Sequence, residues 1–82
     1  MPYNSKMVGL IISIERNSRD MSQMQLSISA GISRSHLAAL ESGKKCPSLE
    51  TFWNIADALS MRPSELLAKI DCTEQRPYHS GP

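Results

Sequence analysis

The chain has 82 residues, 40% of them hydrophobic and 21% charged, with nine Lys and Arg against eight Asp and Glu. That length holds one compact domain and excludes a catalytic core with a separate substrate domain; the composition lies outside the disordered range. A formal net charge of +1 carries no bulk signal for a polyanionic partner, so any charge-driven contact has to come from where the charges sit.

Residues 1–6 are polar and are expected to form a flexible N-terminus. Met7–Arg19 reads as the first helix: Val8, Ile12 and Arg16 fall one turn apart on one face, and Leu10, Ile11 and Ile14 widen the apolar surface. The apolar run from Val8 to Ile14 contains Gly9 and Ser13 and stops at Glu15. It is far shorter than the roughly 20 residues of a membrane span and lacks the flanks of a signal peptide, so a cytoplasmic protein without membrane contact is expected.

Asp20 and Met21 break the pattern. Ser22 is a good N-cap for a second helix, Gln23–Ala30, with Leu26 as its core residue. Gly31 stands where a left-handed C-cap is wanted, and Ile32 is expected to be buried in the turn. Ser33 caps a third helix running to about Ser42, with Leu37 and Leu40 inward, and Gly43 ends it. Lys44-Lys45-Cys46-Pro47 is a basic loop. Ser48 caps a fourth helix, Leu49–Leu59, expected to turn Leu49, Phe52, Ile55, Ala56 and Leu59 inward; Glu50 in its first turn suits the helix dipole. Pro63 suits the first position of a fifth helix, which is expected to end at Ile70 after Leu66 and Leu67. Residues 71–82 hold two prolines, a glycine and almost nothing apolar, and are expected as a frayed polar tail. The domain proper is therefore 7–70, all-α, with no strand.

Catalytic chemistry finds no footing. Cys46 and Cys72 form no CxxC pair, and His36 and His79 lie far apart, so two free thiols in a reducing compartment are expected and no metal site. No Ser/His/Asp, Cys/His or paired-carboxylate arrangement and no phosphate loop is present, so neither an enzyme nor a cofactor is expected.

The informative spacing is Gln23–Ala30, then Gly31-Ile32-Ser33, then Arg34–Ser42: two short helices joined by a tight glycine-containing turn. Glu41 lies one turn beyond Leu37 on the inward side. A half-buried carboxylate needs a partner, and Arg16 on the Val8–Ile12 stripe is the natural one. Arg34, Ser35, Ala38, Ala39 and Ser42 form the outward face.

On the string Ser22-Gln23, Leu26-Ser27, Ala30-Gly31-Ile32-Ser33-Arg34-Ser35, Leu37, Leu40-Glu41-Ser42-Gly43-Lys44, Pro47-Ser48-Leu49 and Ile55 to Leu59, the chain resembles the lambda-repressor-like family of helix-turn-helix domains, the Cro or XRE type. It departs from the family pattern in having Ser27 where alanine is usual and Ile28 where a polar residue is usual. The resemblance implies a five-helix fold and the internal Arg16–Glu41 pair. It further implies a third helix that enters the major groove of double-stranded DNA, with base contacts from Arg34, Ser35 and Ala39. Phosphate contacts fall to Gln23, Ser33, His36, Ser42, Lys44 and Lys45. The function implied is transcriptional regulation, usually repression, by a homodimer on a palindromic operator, pairing through the stretch from Leu59 to Leu67. The alternative is an antitoxin that holds a partner toxin, motivated by the surplus apolar residues Ile11, Ile14, Ile28 and Trp53 and by the tail.

Overall fold

A computed structural model describes residues 4–74, and side chains over 4–71. Five helices follow one another: α1 (Ser5–Ser18), α2 (Gln23–Ala30), α3 (Arg34–Glu41), α4 (Leu49–Ala58) and α5 (Pro63–Glu74). No strand occurs among the described residues.

Each start is fixed by a side chain that satisfies orphan backbone N–H groups. The Asn4 side chain accepts from the backbone N–H of Lys6 and Met7, so α1 begins two residues before the expected Met7, and Ser5 and Lys6 belong to it rather than to a flexible terminus. Ser22 and Gln25 form a reciprocal capping box at the start of α2, from an S-x-x-Q spacing already present in the sequence. Ser33 and Ser48 cap α3 and α4. At α5 the Glu65 carboxylate accepts from the Arg62 N–H at 2.8 Å. That helix continues past the expected Ile70 to Glu74, so only the remainder of the expected tail, 75–82, lies outside the described residues. Gly31 ends α2 at φ 74°. The ends of α1 and α4 use left-handed Asp20 (φ 55°) and Ser60 (φ 59°) instead, conformations that glycine adopts more readily.

α1 packs on α3 and α5, α2 on α3 and α4, and α4 on α5. The core is built from Val8, Ile11 and Ile12 of α1, Leu26 and Ala30 of α2, and Leu37 and Leu40 of α3. Phe52, Ile55 and Ala56 of α4, Leu59 and Met61 of the link, and Leu66 and Ile70 of α5 complete it. Ile11 is thus a core residue, while Ile14 and Ile28 of the surplus set are exposed. Ile32 is only partly buried, packed against the edge of the core. Leu49 was expected inward and is 74% exposed, because it sits at the first position of α4, ahead of the turn that Phe52 anchors.

Gly9 decides how closely α1 meets α3. A Cβ at this position would collide with the carbonyl oxygen of Leu40 and lie 2.6 Å from that of Glu41. Backbone atoms cannot swing aside as a flexible side chain can. Gly9→Ala gains helix propensity, about 1 kcal/mol, but overpacks the α1–α3 contact by about 2–3 kcal/mol. The net loss is expected to lower Tm by roughly 5–15 °C in a circular dichroism melt; an unchanged or raised Tm would mean that the two helices separate to admit the methyl group.

Candidate nucleic-acid interface

The turn between α2 and α3 is closed by backbone bonds. The Gly31 N–H donates to Ile28 O at 3.2 Å and the Ile32 N–H to Ser27 O at 3.0 Å. Ser27 is buried, and its hydroxyl folds back onto Met24 O at 2.8 Å, so the polar group is satisfied inside the helix pair. Chain direction then reverses, and Ser33 Oγ accepts the His36 N–H at 3.0 Å to start α3.

α3 has eight residues, about 12 Å of helix, comparable to the width of a DNA major groove. Leu37 and Leu40 seal its inner side. Arg34 and Ser35, in the first turn, are exposed; Ala38 and Ala39 are partly exposed and small, and His36 is half-buried. The hydroxyls of Ser33 and Ser35 lie 3.3 Å apart. Ser42, just past the helix, is exposed and donates its hydroxyl to Ala39 O. The loop that follows is held by the Lys44 and Lys45 N–H groups on Ala39 O at 3.0 and 3.3 Å, which leaves both lysine side chains in solvent.

Behind this face lies a charged knot. Arg16 donates through Nε to Glu41 Oε2 at 2.8 Å and through a terminal nitrogen to Glu41 Oε1 at 3.0 Å, a bidentate pair. Its other terminal nitrogen donates to Met21 O at 2.8 Å. The Gln23 side-chain amide donates to Glu41 Oε1 at 3.0 Å. The two charged side chains are only 11% and 7% exposed. The hydrogen bond to Glu41 drives the Arg16 guanidinium further toward its charged form. One N–H of Gln23, expected on a DNA phosphate, is therefore occupied internally, and its second N–H is the one left for an outside acceptor.

The knot also shapes the surface charge. Between Ser22 and Leu49 the sequence contains one carboxylate, Glu41, against Arg34, Lys44 and Lys45. Since Glu41 is neutralised from within, the outward face carries positive charge alone. Most exposed carboxylates sit on α4 and α5, at Glu50, Asp57, Glu65 and Asp71, with Asp20 exposed in the link between α1 and α2. Cys46 is a free, exposed thiol in the loop. Among the described residues no group of acidic, His or Cys side chains is suited to a metal, and no helix is long and apolar enough to cross a membrane.

Of the exposed large apolar residues, Leu10 and Ile14 lie on α1 and Met24 and Ile28 on α2, while three gather off the basic face. Leu49, Trp53 and Leu67, at 74%, 56% and 55% exposure, rim a groove between α4 and α5. It comprises two adjoining hollows of about 210 and 420 Å³ that share Leu49, Phe52 and Leu67. Leu59, expected to contribute to such a surface, is fully buried.

A helix-turn-helix family model matches residues 12–66. The chain is 36% identical over 75 residues to the immunity repressor protein of Bacillus phage phi105; the match covers 89% of this chain and 52% of the relative, so the chain spans about half that protein's length. The crystal structure of the restriction-modification controller protein C.AhdI from Aeromonas hydrophila superposes with a TM-score of 0.72 at 30% identity, over 74% of this chain and 92% of that one. The clp gene regulator ClgR from Corynebacterium glutamicum shares the fold, with a TM-score of 0.83 at 20% identity over 89% of this chain and 78% of that one.

Removing one partner of a desolvated ion pair strands the other, at a cost of about 3–5 kcal/mol. Glu41→Ala is therefore expected to lower Tm by more than about 12 °C. A melt coincident with that of the wild type would mean that the pair is solvated.

Proposed function

Because the chain belongs to the Cro/C1 type of the helix-turn-helix DNA-binding regulator family, we propose that it is a sequence-specific repressor that binds a palindromic operator as a homodimer in the cytoplasm. The observation that carries this reading is the outward side of α3, free of carboxylates and flanked by Lys44 and Lys45. Arg34 presents the fork that suits guanine O6 and N7, Ser35 a hydroxyl beside it, and Ala39 a methyl for thymine. Gln23, Ser33, His36, Ser42, Lys44 and Lys45 hold the phosphates on either side and set the register of α3. With two alanines on the reading face, direct readout is sparse, and DNA shape supplies part of the specificity. The phage immunity repressor and the restriction-modification controller among the similar proteins accord with a repressor rather than an enzyme.

Selection of bound duplexes from a random pool is expected to return an inverted repeat with half-sites about 10–10.5 bp apart or a multiple of that. Arg34→Ala should lose about 1–3 kcal/mol of discrimination at one G·C position of each half-site and relax preference there alone. An unenriched pool, or uniform weakening across sequences, would sink the assignment.

The α4–α5 groove supports the dimer: it is apolar, lies off the basic face, and is large enough to receive side chains of a second copy. Trp53 is the chain's single tryptophan and is half-exposed. Its fluorescence is expected to shift to the blue as protein concentration rises through the dimer range, and Leu67→Asp to remove both that shift and cooperative operator binding. A constant spectrum together with a small co-purifying protein would instead favour the antitoxin reading, with a toxin on this groove.

A further inference from the structure

The basic face does not end with the loop after α3. The first turn of α1 lies against it: the Ser5 hydroxyl donates to Gly43 O at 3.0 Å, and a Cβ built on Gly43 would stand 2.6 Å from Lys6 Cγ and 2.8 Å from Lys6 Cα. Gly43, at φ 83°, is thus the surface on which the Lys6 stem rests. Lys6 is exposed and has no ion pair among the described residues. Its position is one that a helix disfavours for a cation, because the N-terminal end of the macrodipole is itself positive. The first turn of α1 holds no acidic residue to offset it, and the cap is the neutral Asn4. The start of α1 disfavours this lysine and the nearby C-terminal end of α3 favours it; the packing on Gly43 sets its stem beside the Lys44–Lys45 loop with no carboxylate paired to it among the described residues.

We infer that Lys6 is a DNA-backbone contact, and that the Ser5–Gly43 hydrogen bond joins the first turn of α1 and the Lys44–Lys45 loop into one phosphate-binding unit. The inference rests on the DNA-binding reading above and extends it to a helix outside the helix-turn-helix. Phosphate contacts of this kind carry no base information. They reveal themselves through counterion release: each contact contributes about 0.9 to the slope of log affinity against log salt on duplex DNA.

The experiment measures anisotropy of a fluorescent random-sequence 30-bp duplex from about 50 to 200 mM NaCl. It compares the wild type with Lys6→Gln, Lys6→Arg and Lys69→Gln, the last removing an equal charge from α5. Lys6→Gln is expected to lower the slope by about 0.9, so that its affinity deficit shrinks about 3.5-fold across that fourfold salt range. Lys6→Arg should restore the slope and Lys69→Gln leave it unchanged, with melts showing that every variant is folded. A wild-type slope retained in Lys6→Gln overturns the inference. So does a lowered Tm with the slope intact, which would make Lys6 only a partner for the C-terminal dipole of α3, and so does an equal loss in Lys69→Gln. Absence of salt-dependent binding by the wild type would overturn the DNA-binding reading itself, and is a distinct result.

Discussion

The arrangement of the first three helices depends on how one buried carboxylate is satisfied. Glu41 sits on the inner side of α3, where an uncompensated charge would be untenable. Its two oxygens receive three donors: two from Arg16 on α1 and one from Gln23 at the start of α2. Arg16 spends its remaining reach on Met21 O, in the link between α1 and α2. Because guanidinium and carboxylate are both planar, the bidentate pair fixes direction as well as distance. A shift of α3 by a fraction of a turn would break its bonds to α1 and to α2 at once. The position of the outward face of α3 is thereby tied to the interior, and Gly9 makes the tie possible by letting the α1 backbone come within contact of the end of α3.

The same pair resolves the low net charge. With nine cations against eight carboxylates, nothing in the total points to a polyanion. Charge is segregated instead. Glu41 is consumed internally, Glu15 is drawn toward Arg19 and Lys69, and the exposed carboxylates lie mainly on α4 and α5. The hydrogen bond from Arg19, aided by the field of Lys69, holds the Glu15 carboxyl below its ordinary range, so it stays charged to lower pH than a free carboxylate and adds nothing unpaired to the surface. What is left around α3 is a positive edge that salt screens little at contact distance and strongly beyond about 10 Å.

The apolar groove and the basic edge are drawn mainly from different helices and meet at the Pro47–Leu49 junction and at the start of α1, where Val8 lines the groove two residues after Lys6. Pro47 and Leu49 line the groove, and Lys44 and Lys45 immediately precede them. In the proposed dimer, a second copy seated on α4 and α5 would leave α3 uncovered, and its position along that groove would set the separation of the two α3 helices. A small rigid unit can in this way place spacing in one surface and reading in another.

Sequence alone determined the element order, the caps at Ser22, Ser33 and Ser48, the glycine turn at Gly31, and the Arg16–Glu41 partnership. These are local or periodic features, and the cost of an unpaired inner carboxylate names its partner without coordinates. It did not reveal that Gly9 is a packing requirement, since a glycine in a helix reads the same whether it faces solvent or a neighbouring backbone. Nor did it show that Ser5 and Lys6 belong to α1 and lie on Gly43, a contact 38 positions apart along the chain. Leu49 and Leu59 read alike as inward leucines, yet one is open to solvent and the other sealed. Periodicity gives the face of a helix, but which part of that face is covered depends on where the neighbouring helix stops, and only tertiary packing decides that.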